Sequence, residues 1–186
     1  IIVLEGDNPI TIEVGTAFTD SGATATDNYD EDVTVTTTGA VDINTVGIYT
    51  LTYTATDSSG NTATITLQVN VVDTTDPIIV LEGDNPITIE VGTAFTDPGA
   101  TATDNSGDQV DVIVSGTVDV NTIGTYTLTY TATDSSNNTS SITRTVNVVD
   151  TTDPVLVLTG SDLITIEVGT AFTDPGVTAT DNYDED

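Results

Sequence analysis

The chain contains no cysteine, histidine, methionine or tryptophan, and its 186 residues carry one basic side chain, Arg144, against 30 aspartates and glutamates. Each shortage removes a class of chemistry. Without Cys or His there is no redox thiol, no zinc or iron site of the usual kind, and no Cys or Ser/His nucleophile. At a formal charge of −29 the chain has a single arginine to set against phosphates, which cannot supply such binding. That excludes nucleic acid as a partner, and attraction to anionic membrane surfaces fails for the same reason. No apolar run is long enough to span a bilayer, so direct membrane insertion is not expected. The absence of an initiating Met and of a charged and apolar leader is what an interior segment of a longer protein would show. An enzyme built from carboxylates alone would need a paired Asp or Glu in a cleft, as in glycosidases and acid proteases. A small sandwich has little room for such a cleft, and no enzymatic activity is expected.

What the chain does have is threonine, 42 residues of it, beside a hydrophobic share of 37%. Threonine is β-branched, stiff at χ1 and suited to a half-wet pleated surface. The apolar period is 2 throughout. Tyr49, Leu51, Tyr53 and Ala55 alternate with Thr50, Thr52, Thr54 and Thr56, and Ile65, Leu67, Val69 and Val71 alternate with Thr66, Gln68 and Asn70. Such alternation is the signature of strands with one dry face. Turn chemistry separates them at Val14-Gly15-Thr16, Asp27-Asn28 and Asp57-Ser58-Ser59-Gly60-Asn61. The pattern repeats. Residues 1–77 restart at Ile78 with 18 differences in 77 positions, and a third copy opens at Val155 and runs for 32 residues. The expected domains are therefore 1–77, 78–154 and an incomplete 155–186. Each complete one is expected to be an all-β antiparallel sandwich of about seven short strands.

The strings EVGTAFTDPGATATDN, G-x-Y-T-L-T-Y-T-A-T-D-S-S-x-N and VNVVDTTDP carry a resemblance. They resemble the bacterial immunoglobulin-like repeats found in tandem in large secreted and cell-surface proteins. The likeness is to the small family first named from an Ig-like domain of an insecticidal crystal toxin, and more distantly to hyalin-type repeats. It implies a tandem Ig-like array, extracellular or on the cell surface, serving as spacer and adhesive modules without shared catalytic residues. Ser21 departs from the Pro98 and Pro175 of the other copies, and Tyr29-Asp30-Glu31-Asp32 gives way to Ser106-Gly107-Asp108-Gln109.

In tandem sandwiches the linker Asp73-Thr74-Thr75-Asp76-Pro77 is expected beside the upper loops of the next repeat. That places Asp73 and Asp76 near Asp104 and Asn105, and near Asp134 in the last hairpin. The set recurs as Asp150, Asp153, Asp181 and Asn182, and the first repeat presents Asp27, Asn28 and Asp57. Converging carboxylates repel unless a cation sits among them. Calcium, with 6 to 8 oxygen ligands and weak extracellular affinities, is the expected ion. The competing reading is that these Asp and Asn residues cap turns or solvate a linker. The acidic loop Asp27-x-x-Asp30-Glu31-Asp32, repeated at Asp181-x-x-Asp184-Glu185-Asp186, reads as a solvated loop before a second ion site.

Asp20, Asp97 and Asp174 are expected to mark a kinked strand, and Tyr49 and Tyr126 to form tyrosine corners. Arg144 replaces Leu67 on the inward register and is expected near a strand end, snorkelling out to a carboxylate. The leading function is a stalk or fibre stiffened by calcium at its domain junctions, whose partners are neighbouring repeats or copies of itself. A glycan- or cell-surface-binding module is the alternative. The short third copy is expected to be completed by its own continuing chain or by a neighbouring molecule.

Overall fold

A computed structural model describes residues 1–31 and 33–183, and among these no helix occurs. The first repeat contains β1 (Ile2–Leu4), β2 (Ile10–Glu13), β3 (Ala23–Ala25), β4 (Thr34–Thr38), β5 (Gly47–Thr56) and β6 (Thr62–Val72). A four-stranded sheet in the order β2-β6-β5-β4 faces the two-stranded sheet β1-β3. Leu51, Tyr53, Leu67 and Val69 fill the space between, with Ile2, Leu4, Ile10, Ile12, Phe18 and Val35 packed around them. The alternation in sequence is the cause. Every second residue of β5 and β6 meets the small sheet, and burial of each such side chain contributes about 1.5–3 kcal/mol. On the wet face the register aligns Thr34 with Thr56 and Thr62, Thr36 with Thr54 and Thr64, and Thr38 with Thr52 and Thr66.

Two details differ from the expected sandwich. Six strands form, because Gly39–Val46 folds as turns in which Asp42 accepts from the Asn44 N–H and the Thr45 hydroxyl. The pairing is also mixed: β2 runs parallel to β6, with Ile10 beside Val69 and Ile12 beside Val71.

The second repeat follows the same plan with β7 (Ile78–Leu81), β8 (Ile87–Glu90), β9 (Ala100–Thr103), β10 (Val112–Ser115), β11 (Gly124–Thr133) and β12 (Thr139–Val149). Its sheets are β10-β11-β12-β8 and β7-β9, around a core of Leu128, Tyr130 and Val146. In the third copy β13 (Val155–Leu158) pairs antiparallel with β14 (Val177–Thr180). Packing divides the chain into two compact units. One is Ile1–Ile78 with Ala102–Asp111 and Ala132–Ser140; the other is Ile79–Thr101, Val112–Thr131 and Ser141–Asp186.

The tyrosine corners are present: the Tyr49 hydroxyl donates to Thr45 O and the Tyr126 hydroxyl to Thr122 O, each at 2.8 Å. Asp20, Asp97 and Asp174 each accept the N–H two residues on, at Gly22, Gly99 and Gly176, which turns the chain there. Arg144 does not snorkel. It lies mid-strand in β12 with 0% exposure, because Asp97, Glu82 O and Gly99 O supply acceptors inside the repeat and the Tyr130 ring stacks 5.4 Å from the guanidinium. Asp97 also accepts from the Tyr130 hydroxyl at 2.6 Å. Burial pushes its carboxyl up, but Tyr130, the Gly99 N–H and Arg144 outweigh burial and hold it below the ordinary range.

Candidate metal centre

Three of the aspartates singled out in the sequence come together. One carboxylate oxygen from each of Asp73, Asp104 and Asp134 lies within 4.8 Å of the others, all inside the first compact unit. Asp73 follows directly on β6, Asp104 follows β9, and Asp134 opens the hairpin between β11 and β12. Local backbone bonding aims each of them. The Asp134 carboxylate accepts the Ser136 and Asn138 N–H groups and the Asn138 side-chain amide, all at 2.8 Å. The Asn138 amide also reaches Asp73 O at 3.2 Å, tying hairpin and linker together. Asp104 accepts from the Ser106 N–H and Asp73 from the Thr75 N–H, each through one oxygen.

The other oxygens are the informative ones. Asp73 Oδ2 and Asp104 Oδ1 are buried without any hydrogen-bond partner, and Asp73 as a whole is only 7% exposed. Buried polar atoms are normally paired, so an orphaned carboxylate oxygen requires an explanation. Burial raises the Asp73 carboxyl above its ordinary range, and the nearby Asp104 and Asp134 charges push the same way. At Asp134 burial also pushes upward, but the Asn138 and Ser136 bonds prevail and keep that carboxyl low. Two unit charges about 4 Å apart repel by about 4 kcal/mol at an effective dielectric of 20. A hard cation with oxygen ligands removes that repulsion and uses the free lone pairs, so the donor set fits calcium.

The remaining candidates are distributed differently. Asp76 and Asp153 are exposed in their linkers, outside this trio. Asn105 is exposed and its amide donates to Glu13 Oε1 at 3.2 Å. Asn182 makes the same bond to Glu90. Asp150 and Asp181 stand near each other: burial raises the Asp150 carboxyl, and the Asp181 and Glu90 charges add to it. In the first repeat Asp57 is capped by the Ser59 and Asn61 N–H groups and the Asn61 amide, which lower its carboxyl. Asp27 accepts from the Tyr29 N–H, while Asn28 is exposed beside it. Asp27 and Asp57 share an open hollow of about 110 Å³ with Ile1, Ala25 and Asn61. In the acidic loop Asp30 is tied to the Ser58 N–H and hydroxyl. Asp32, Asp184, Glu185 and Asp186 lie outside the described residues.

The roles of Asn138 beside Asp73 and Asp134, and of Glu13 at the linker, are not among those expected from the sequence. The D-S-S-x-N spacing shared by both hairpins was the available signal for Asn138, and for Glu13 it was the E-V-G-T string repeated at Glu13, Glu90 and Glu167.

Residues 2–71 and 79–148 match the family model described as "Bacterial surface protein, Ig-like domain". The chain belongs to this family. Its place is therefore extracellular or on the cell surface, in a family of surface modules rather than of enzymes. Two curated relatives are similar to this surface Ig-like chain. Hyalin of Lytechinus variegatus is 42% identical over 159 residues, covering 76% of this chain and 29% of hyalin. A serine-rich adhesin for platelets from Staphylococcus aureus is 33% identical over 161 residues, covering 72% of this chain and 7% of the adhesin. The chain thus spans less than a third of either relative. Among solved structures, a lipoprotein of Bacteroides thetaiotaomicron is 39% identical over 41% of this chain and 39% of its own, with a TM-score of 0.38.

Proposed function

We propose that this surface Ig-like chain is a segment of an adhesive extracellular stalk or fibre whose repeats are stiffened by calcium at their junctions. The reading rests on the two orphaned oxygens, Asp73 Oδ2 and Asp104 Oδ1, buried next to Asp134. Calcium accepts carboxylates, carbonyls and waters in flexible geometry, and extracellular modules bind it at about 10⁻⁴–10⁻³ M. Linker and hairpin are ordered together once one ion is shared between them. Asp150 and Asp181 stand to the third copy as Asp73 and Asp104 stand to the second, so two of the three clustered positions recur at the next junction. The near-identity of the repeats suits a spacer, whose function is its length, and neighbouring repeats or further copies are its partners.

Calcium added to chelator-treated protein should raise the melting temperature and narrow the distribution of conformers in small-angle scattering. Identical melting and scattering curves with and without calcium would overturn the reading. A second reading, a glycan- or cell-surface-binding module, draws support from the similarity to the staphylococcal adhesin. A saturable, repeat-specific hit on a glycan array would favour it.

A further inference from the structure

Glu13 ends β2 just before the Val14-Gly15-Thr16 turn, and its carboxylate collects donors from two other segments. Oε1 accepts the Thr74 N–H at 2.8 Å, the Thr75 hydroxyl at 2.8 Å and the Asn105 amide at 3.2 Å, while Oε2 accepts the Thr74 hydroxyl at 3.0 Å. Glu90 repeats the arrangement. Its oxygens take the N–H and hydroxyl of both Thr151 and Thr152, and the Asn182 amide at 3.2 Å. The two sets arise from separate stretches of chain, one in each compact unit, and differ in that the Thr152 N–H reaches Glu90 while the Thr75 N–H donates to Asp73.

We propose that Glu13, and Glu90 as its copy, are linker clamps that work without a cation. Each pins the Thr-Thr pair of the linker and the Asn of the following loop, and so positions the aspartates that precede them. The geometry accounts for the residue types. Asp73 immediately precedes Thr74 and Asp104 immediately precedes Asn105, so one carboxylate fixes the chain beside two of the three clustered oxygens. Hydrogen bonds to an ionised acceptor are about twice as strong as neutral ones. The linker sequence D-T-T-D-P offers two hydroxyls and two N–H groups where a flexible polar linker would need neither. The Asn105 amide, which the D-N motif suggested as a ligand, is engaged by this clamp. Preformed linker geometry lowers the ordering cost of binding an ion.

That Glu13 tunes calcium affinity rests on the calcium reading given above; the clamp itself does not. The test uses the full chain with Glu13→Gln and Glu13→Ala. In chelator, amide exchange at Thr74 should accelerate about tenfold or more in Glu13→Ala, the loss of one charge-assisted bond. Glu13→Gln, which keeps a neutral acceptor, should fall between it and the parent. Unchanged Thr74 exchange in Glu13→Ala overturns the clamp. In calorimetric titration with calcium, Glu13→Ala should weaken binding about tenfold; equal affinity overturns the positioning role. A parent chain that binds no calcium overturns the calcium reading and the positioning role together, while accelerated Thr74 exchange in chelator still supports the clamp.

Discussion

Asp57 and Asp134 are the same residue of the same hairpin, 77 positions apart, and both are capped by an Asn four residues on. Yet only Asp134 joins a carboxylate cluster among the described residues. Its hairpin packs in one unit with Asp73, whereas Asp57 borders an open hollow. The cores show a second contrast. Asp20 in the first repeat accepts the Tyr53 hydroxyl beside the aliphatic Leu67, and Asp97 in the second accepts the Tyr130 hydroxyl beside Arg144. One framework tolerates either a greasy or an ionic filling. Identical residues therefore acquire different chemistry from what is packed against them.

The core contrast should yield the largest effect. Asp97→Ala strands a buried guanidinium and should cost about 3–5 kcal/mol. Asp20→Ala deprives the Tyr53 hydroxyl and the Gly22 N–H of their acceptor but leaves no buried charge unpaired, and should cost about 1–3 kcal/mol. Urea denaturation of the two variants measures the difference, and equal losses would break the comparison. Arg144→Leu, which restores the residue of the first repeat, leaves Asp97 with the Tyr130 hydroxyl and the Gly99 N–H, the same two donors that Asp20 has in Tyr53 and Gly22, and should cost less than Asp97→Ala by the same measurement. Trypsin gives an independent readout, since Arg144 is the chain's one basic residue and is fully buried. Cleavage after it should be slow in the parent and fast in Asp97→Ala.

The loop contrast comes next. Calcium at about 100 times its dissociation constant should stabilise the parent by about 2.7 kcal/mol. Asp134→Asn should abolish most of that gain in a thermal melt, and Asp57→Asn should leave it intact. In chelator the sign reverses at Asp73: Asp73→Asn relieves repulsion among the three carboxylates and should raise the melting temperature. The tyrosine corners form the control. Tyr49→Phe and Tyr126→Phe should each cost about 1 kcal/mol, equally in both repeats, because their hydrogen bonds are the same.

The smallest effect is acid-dependent. Donation by Thr74, opposed by burial and aided by Thr75 and Asn105, lowers Glu13 from 4.5 to about 2, and the Thr151 and Thr152 bonds take Glu90 from 4.5 to about 2. A carboxyl lowered on folding contributes stability that is complete above its unfolded value and lost as pH falls toward the folded one. Protection of the Thr74 amide in chelator should therefore hold to about pH 4.5 and decline between there and about pH 2. A decline centred well above that window would break the assignment.

Much of this was legible in the letters. Alternation of Leu51, Tyr53 and Ala55 with threonines placed the core face of β5, and the Asp57 and Tyr49 motifs named their own hydrogen bonds because those partners lie within four residues. Arg144 lies mid-strand rather than at the strand end that its polarity suggests. Periodicity says that a residue faces inward but not what waits there, and Asp97, Glu82 and Gly99 reach it from 45 to 62 positions away. Glu13 was missed for the same reason, since its donors are 61, 62 and 92 residues distant.

The sequence by itself determined the repeat, the strand alternation, the turns and the exclusion of phosphate, thiol and imidazole chemistry, all consequences of composition or of interactions spanning a few residues. Tertiary structure decided which carboxylates become neighbours. Asp73, Asp104 and Asp134 are alike in charge to the other 27 carboxylates of the 30, and only packing removes water from Asp73, leaves its oxygen unpaired and sets the distances between the three.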